Sequence, residues 1–275
     1  MLFLAIETSG IRGSLALFEG SRCLEEVLFP EGLVHGREIS VKLAEVLDTQ
    51  RVRPRDLEGL AVSVGPGSYT GCRVGVTAAK TLGYALRIPL VAVSSLEVLA
   101  ATALNSGNGN SFGRVATLLD GRRGFFYNAL FSAEERSGPL RRWPVRRTPD
   151  QVGRLENVRA LLTASTGTES AVSSPAAVSS TEGADDSTDT ATWVCGDGAN
   201  AVSEAFAGDP LRDSIVRAPQ ACDLPRARRL GDLVWKQLEA AAYDLEALHS
   251  LEPSYLRPSE PELLLAQKSR LAGEK

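Results

Sequence analysis

The segment from Gly65 to Gly75 constrains the fold of this 275-residue chain more than any other, because it joins an apolar strand directly to a helix. The strand is predicted over Leu60 to Val64, and the helix continues past Lys80. Glycines on both sides of Pro66 permit a sharp reversal of the chain, and Ser68 is a suitable N-cap. A functional surface is therefore expected at this junction.

Small residues recur at every fourth position of this helix, namely Gly71, Gly75, Ala79 and Gly83. Residues four apart share one face of a helix, so this face is nearly bare backbone. Such a face accommodates the close approach of a second helix. The spacing alone leaves two interpretations open: a docking face for a partner chain, or a tight contact inside the same subunit.

Charge and apolar patterning exclude several classes of protein. A net charge of −4 with 23% charged residues gives no general basic surface for binding nucleic acid. The first six residues are too short and lack the basic lead of a signal peptide, and no run of about 18 apolar residues occurs. We therefore expect a cytoplasmic protein that does not associate with membranes.

Cysteine and histidine are too sparse for a recognisable metal site. The four cysteines are far apart and lack CxxC spacing, which favours reduced, mostly buried thiols. The only histidines, His35 and His249, form no His-x-x-x-His pair and are poor candidates for a catalytic base. We predict no metal ligands and no catalytic residues.

The first lobe is predicted over residues 1–104 in the order β-β-β-α-β-α-β-α, as a mixed sheet with packed helices. Its first helix runs from His35 to Asp48, with Ile39 and Leu43 on one apolar face. A capping box of Ser94 and Glu97 is predicted to begin the last helix.

The second lobe is predicted over residues 105–275, after a boundary rich in Asn, Gly and Ser. Strands at Val115 to Leu119 and Phe125 to Phe131 form a hairpin, as at the head of the first lobe, which indicates a duplicated fold. The tract from Ala164 to Thr192 is dominated by Ser, Thr, Ala and Asp. It is predicted to be a disordered surface insertion that can be deleted without loss of folding.

Three turns resemble the nucleotide-binding turns of the superfold shared by actin, sugar kinases and heat-shock ATPases (ASKHA). They are Glu7, Thr8 and Ser9 after the first strand, Asp120 and Gly121 in the second lobe, and Gly196 and Gly198 before a late helix. Their order predicts a two-lobed α/β fold of this class with mixed sheets. Arg122 and Arg123 stand where a phosphate would need small residues, so we interpret these turns as a vestigial nucleotide site.

The chain resembles the bacterial TsaB (YeaZ) family. The resemblance rests on Ile6-Glu7-Thr8-Ser9, the element from Gly65 to Gly75, the turn from Asp120 to Gly124, and the closing Glu252-Pro253-Ser254-Tyr255-Leu256-Arg257. It is strongest before residue 104, and the tract from Ala164 has no counterpart in the usual pattern.

This resemblance implies a non-catalytic subunit in the synthesis of N6-threonylcarbamoyladenosine at position 37 of tRNA. It implies pairing with a catalytic paralogous transferase subunit, assistance from a small ATPase subunit, tRNA contact through the complex, and a homodimer when alone. ATP and a metal would be used by the partner subunits, and we expect no cofactor on this chain.

The family pairs through its first two helices. Carried over to this sequence, the expected partner-binding residues are His35, Ile39, Leu43, Tyr69, Gly71, Arg73, Gly75, Ala79 and Gly83. Replacement of Gly75 by leucine is accordingly predicted to abolish pairing and to leave the subunit folded.

Two other functions remain open from the sequence. One is an ATP-using kinase or hydrolase that acts in its own inter-lobe cleft through Glu7 and Asp120. The other is a peptidase, against which the lack of a nucleophile–base pair argues. Direct contact with tRNA is a further hypothesis, with Arg226, Arg228 and Arg229 as candidates.

Overall fold

The computed structural model describes residues 1–32, 35–106, 113–166 and 191–257. In the first half, the described strands and α-helices are β1 (Leu2–Glu7), β2 (Ser14–Glu19), β3 (Arg22–Leu28), α1 (His35–Thr49), β4 (Gly59–Ser63), α2 (Tyr69–Leu86), β5 (Leu90–Val93) and α3 (Ser95–Leu104). Their order is β-β-β-α-β-α-β-α, which confirms the predicted order. The sheet runs β3-β2-β1-β4-β5, with β1 to β3 antiparallel and β4 and β5 parallel to β1.

The second half continues with β6 (Arg114–Asp120), β7 (Phe126–Glu135), β8 (Arg142–Arg146), β9 (Gln151–Gly153), α4 (Leu155–Thr166), β10 (Thr192–Cys195), α5 (Ala199–Ala205), β11 (Ile215–Arg217), α6 (Ala227–Ala240) and α7 (Leu245–Ser250). Its sheet runs β8-β7-β6-β10-β11, and β9 pairs with β7. Strands β6 to β8 are antiparallel, and β10 and β11 are parallel to β6. This arrangement repeats that of the first sheet, so the indication of a duplicated fold is confirmed.

Alternate residues of the strands point to opposite faces and build separate cores on each sheet. Leu4 and Ile6 of β1 pack with α1 and α2, whereas Phe3 and Ala5 pack with α3 and α6. On the second sheet, one face packs on α3 and the other on α4 and α5. The described elements therefore form five layers in this order: α1 with α2, the first sheet, α3 with α6, the second sheet, and α4 with α5.

Helix α3 lies between the two sheets. Every residue from Ser95 to Leu104 except the half-buried Glu97 is buried, as expected for a helix with apolar residues on nearly all sides. The predicted capping box at its start is incomplete. Ser94 accepts a hydrogen bond from the Leu96 amide, but the Glu97 carboxylate contacts Arg146 instead of reaching back.

Helix α6 returns the chain to the first lobe. Leu230, Val234 and Leu238 form its apolar side and pack on the first sheet with Phe18. A Cβ atom at Gly231 would overlap the Phe18 ring, so glycine permits this close approach. The division of the chain at residue 104 stays a prediction, although α6 and α7 pack on the first sheet and on α2.

Both ends of the predicted insertion lie in regular elements. Residues 164–166 complete α4, and Thr192 is buried in β10 beside β6 and β11. The rest of the tract, residues 167–190, lies outside the described residues, as does most of the predicted boundary after residue 106. None of the described helices has the length and apolar character needed to cross a membrane.

Candidate functional site

The turn before α2 packs on the end of β1. The Ser68 amide donates a hydrogen bond to the Ser9 carbonyl at 2.7 Å. The Ser68 hydroxyl accepts from the Gly71 amide at 3.2 Å, which confirms its predicted role as N-cap. The junction therefore lies inside the first lobe, against the chain's own first strand.

The small-residue face of α2 is buried against the same chain. A Cβ atom at Gly71 would overlap the Thr8 carbonyl oxygen, and one at Gly75 would overlap Thr8 Oγ1. The Thr8 hydroxyl also donates to the Gly71 carbonyl at 2.7 Å. Ala79 is completely buried in the core. A Cβ atom at Gly83 would lie 2.7 Å from Leu248 of α7.

The prediction that Gly71, Gly75, Ala79 and Gly83 bind a partner is therefore wrong. The contact inside the same subunit, which the spacing left open, is the correct interpretation. The physical reason is that Thr8, directly after β1, and Leu248 of α7 lie less than 3 Å from where a Cβ atom would stand at Gly71, Gly75 and Gly83. A bulky residue at Gly75 would overlap Thr8, so Gly75→Leu is expected to disturb the fold itself rather than pairing alone.

The predicted contacts on α1 also point inward. His35 is buried, with Nε2 2.9 Å from the Gly10 carbonyl oxygen and its ring 5.8 Å from that of Phe29. Burial lowers the pKa of His35. Ile39 and Leu43 are partly buried and pack on the core under α1. The apolar face of an amphipathic helix covers its own core, so His35 is closed to a partner, and binding by the partly buried Ile39 and Leu43 stays a prediction.

The residues exposed on the outer face of α1 and α2 differ from the predicted partner-binding residues. Val41 on α1 and Tyr84 on α2 are each 60% exposed, and Tyr69 is 39% exposed. Arg73 is exposed too, so Tyr69 and Arg73 are the exposed members of the predicted partner-binding set, and Ile39 and Leu43 are partly buried. The sequence analysis did not single out Val41 and Tyr84. Their position on the polar side of each helix could have indicated that these apolar side chains are exposed.

The first of the three predicted nucleotide turns is closed. Glu7 and Thr8 are completely buried, and Ser9 is nearly so. Glu7 Oε1 accepts from the Ser9 amide at 2.7 Å and from the Ser9 hydroxyl at 2.5 Å. A Cβ atom at Gly67 would overlap the Ser9 carbonyl oxygen, so the turn before α2 packs directly on Ser9.

Burial raises the pKa of Glu7, and hydrogen bonds from Ser63 and Ser9 offset this only in part. The assignment of Glu7, Thr8 and Ser9 to a vestigial nucleotide site stays a prediction. These residues are a buried polar cluster because α2 starts directly on top of them.

The second and third turns do come together, at the carboxyl ends of β6 and β10. The Asp120 amide donates to Asp197 Oδ1 at 2.7 Å, and the Gly198 amide donates to the Leu118 carbonyl at 3.1 Å. Gly196 has φ +108°, and a Cβ atom there would overlap the Leu118 carbonyl oxygen. Burial raises the pKa of Asp197.

In these contacts, polar groups of the two turns are occupied by hydrogen bonds within the chain. Gly121 is buried and donates its amide to the Phe125 carbonyl at 2.8 Å, and the exposed Asp120 lies 3.5 Å from Arg122.

Three of the four cysteines are buried, as predicted. Within the described ranges, no three His, Cys, Asp or Glu side chains are placed to hold a metal ion.

A connection between the two lobes was not predicted by the sequence. The segment from Leu251 to Arg257, here called the seam segment, crosses from α2 to the turn after β6. The Ser254 amide donates to the Val64 carbonyl at 2.8 Å, and Arg257 donates to the Gly121 carbonyl at 3.0 Å. The family motif marked these residues, but no local signal indicated what they contact.

The repeated sheets and the shared central helix layer define a two-lobed α/β protein with the actin-like ASKHA fold, as predicted. Residues 33–263 match the family model described as TsaD: tRNA N6-adenosine threonylcarbamoyltransferase. The chain belongs to this family, and its predicted resemblance to the TsaB (YeaZ) proteins is confirmed.

Two curated relatives illustrate the resemblance. The chain is 39% identical over 132 residues to the tRNA threonylcarbamoyladenosine biosynthesis protein TsaB of Bacillus subtilis, covering 48% of this chain and 55% of the relative. It is 32% identical over 136 residues to TsaB of Escherichia coli, covering 49% and 57%. The matches thus span about half the length of these relatives.

Two solved structures show the same fold. A Pseudomonas aeruginosa protein described as similar to peptidase YEAZ superposes with a TM-score of 0.67 and 22% identity over 93% of this chain and 99% of the other. YeaZ of the same organism gives 0.63 and 22%, with the same coverage.

Proposed function

We propose that this chain is a non-catalytic subunit in the synthesis of N6-threonylcarbamoyladenosine at position 37 of tRNA, where it pairs with a catalytic paralogous transferase subunit. Membership of the family supports a role in threonylcarbamoyladenosine synthesis. The relatives from Bacillus and Escherichia, both named TsaB, support a TsaB-type subunit rather than the transferase. The surface of α1 and α2 that pairs with this partner would form a homodimer when the partner is absent. A small ATPase subunit and tRNA would join through the complex.

The observation that carries the proposal is the apolar surface on α1 and α2. Among the described residues, the exposed large hydrophobic side chains are Ile11, Val41, Tyr69, Tyr84, Leu245 and Tyr255. Val41 lies on α1 and Tyr84 near the end of α2, whereas Tyr69 at the start of α2 stacks on Tyr255. Apolar side chains exposed on the outer face of two packed helices support an interaction surface there.

The closed first turn supports a role without nucleotide turnover in this chain. An ATP-using enzyme of this fold would need Glu7 to face the cleft, and here the carboxylate is buried under the start of α2. Titration calorimetry of the isolated chain with Mg-ATP is expected to show no stoichiometric binding. Tight binding with turnover would favour the kinase or hydrolase instead.

Pairing is tested by mixing the chain with its catalytic paralogue and measuring co-elution and threonylcarbamoylation of tRNA. We expect the modification to require both proteins, and Val41→Asp to weaken pairing and modification together. A charge at a buried interface position costs several kcal/mol when it has no partner.

Two alanines provide a matched control. Ala44 is exposed on α1, and Ala160 is exposed on α4 at the opposite end of the molecule. Ala44→Asp is expected to weaken co-elution, whereas Ala160→Asp is not. Equal co-elution of the wild-type chain, Val41→Asp and Ala44→Asp would show that the proposed face is wrong.

A further inference from the structure

Aromatic and arginine side chains alternate where the start of α2, the seam segment and the turn after β6 meet. We call this group the seam cluster; its members are Tyr69, Arg73, Tyr255, Phe125, Arg154 and Arg257. The rings of Tyr69 and Tyr255 stack at 4.8 Å between centroids with 29° between their planes. Tyr69 and Tyr255 are 39% and 41% exposed, so much of the ring surface faces solvent.

Arginine groups lie against these rings. Arg73 Nε donates to the Tyr255 hydroxyl at 2.8 Å, and its guanidinium lies 4.5 Å from the centre of the Tyr69 ring. These contacts hold two rings and one planar cation in a fixed arrangement before any ligand arrives. Pre-ordered groups bind with a smaller loss of conformational entropy.

The same pattern continues two residues along the chain. Arg257 lies 4.2 Å from the centre of the Phe125 ring, and Arg154 lies 4.7 Å from it. Arg257 and Tyr255 lie two residues apart in the seam segment, at a bend of the chain.

The turn after β6 adds more positive charge. Arg122 and Arg123 are both exposed, and the Arg122 side chain is 74% exposed beside Asp120. The arginines singled out from the sequence lie elsewhere: Arg226 pairs with Glu26, and Arg229 pairs with Asp232.

We propose that the seam cluster binds single-stranded RNA. Exposed aromatic faces and planar guanidinium groups are surfaces on which unpaired bases stack, and arginines nearby contact the phosphates. An acidic peptide would use the charges only and would leave the paired tyrosines without a role. The assignment deepens the proposed function, on which it rests for the identity of the RNA as tRNA.

Binding is measured by fluorescence anisotropy of the full chain with a labelled, unstructured single-stranded RNA oligonucleotide. Tyr69→Ala is expected to weaken binding about fivefold to a hundredfold, as the loss of one stacked base does. Tyr69→Phe keeps the ring and is expected to bind as the wild-type chain does. Leu245→Ala removes an exposed apolar side chain on α7, outside the seam cluster, and is expected to leave binding unchanged.

The arginines are tested through salt dependence. For the pair Arg122→Gln and Arg123→Gln, the slope of log affinity against log salt is expected to fall by about 0.7 for each phosphate that the variant no longer binds. Arg212→Gln, at another exposed position of the second lobe, is the control and is expected to keep the slope.

Three results would overturn the assignment. They are no RNA binding at low salt, RNA binding that Tyr69→Ala leaves unchanged, and displacement of the RNA by polyglutamate at equal charge concentration. The assay contains no partner protein and the pairing assay needs no RNA for co-elution. Failure of this inference and failure of the proposed function are therefore separate outcomes.

Discussion

At the scale of single residues, Thr8 fixes how α2 sits on the first sheet. Its hydroxyl donates to the Gly71 carbonyl, and both its carbonyl and its hydroxyl oxygen face glycines of α2. The helix can approach β1 this closely only because Gly71 and Gly75 carry no Cβ atom. The recurring small residues are therefore a requirement of the fold.

Gly75→Ala is expected to destabilise the chain by about 1–3 kcal/mol, because the added Cβ would overlap Thr8 Oγ1 and force a shift. Gly36→Ala is the matched control, since a Cβ there would lie 3.8 Å from Val74 in ordinary contact. Its helix propensity should raise stability by up to about 1 kcal/mol. Urea unfolding measures both, and equal midpoints for Gly75→Ala and the wild type would contradict the expectation.

Glu7 is expected to make stability fall as pH rises. Its pKa is raised in the folded state, so from about 4.5 upward the unfolded chain gives up this proton more readily than the folded chain. The protonated Glu7 therefore contributes its full stability below about pH 4.5, and this contribution is lost as pH rises through the pKa of Glu7 in the folded chain. Each unit of raised pKa corresponds to about 1.4 kcal/mol.

Glu7→Gln removes the ionisation and keeps the shape. Its free energy of unfolding, measured between pH 4.5 and 8, is expected to decline less with pH than that of the wild-type chain. Parallel pH curves for the two proteins would show that Glu7 is not the group responsible.

At the scale of elements, α7 depends on its contact with α2. A helix of six residues is not stable alone in water, so its order must come from packing. Leu248 is buried against Gly83, and Lys80 of α2 donates to the carbonyls of His249 and Leu251. The seam segment starts directly after this helix.

Leu248→Ala is expected to release α7 by removing its buried anchor, at a local cost of about 2–5 kcal/mol. Hydrogen exchange of the amides from 245 to 251 should accelerate about tenfold for every 1.4 kcal/mol of local stability removed, while α2 stays protected. Leu245→Ala alters an exposed leucine of the same helix and should change little. Equal exchange rates in the two variants would mean that α7 is held in another way.

At the scale of the whole molecule, the C-terminal helices complete the first lobe. Helix α6 covers the face of the first sheet that carries Phe3 and Phe18, and α3 fills the space between the sheets. The two lobes therefore share their central layer of helices, and neither sheet is covered by its own half of the chain alone.

A chain truncated after residue 224 is expected to lose cooperative unfolding, because the apolar face under α6 becomes exposed to water. A chain truncated after Arg257 keeps every described element and is the control, expected to unfold cooperatively. Urea titrations followed by near-ultraviolet circular dichroism distinguish them. A sharp transition at the same midpoint in both would show that α6 is dispensable.

The sequence by itself determined the elements of the first lobe and the fold class. Apolar periodicity, the N-cap at Ser68 and the glycines around Pro66 are local, and local signals fix where strands and helices begin and end. It also indicated the turns at Asp120 and Gly196, because acid and glycine at strand ends act over a few residues.

Only the tertiary structure decided which faces remain open. Small residues every four positions suit a partner and the chain's own β1 equally well, so spacing could not place Gly71 and Gly75 inside. Arg73 and Tyr255 are 182 residues apart and meet only because α6 and α7 bring the chain back to α2. Such contacts depend on how distant elements pack, a quantity that no local pattern of residues contains.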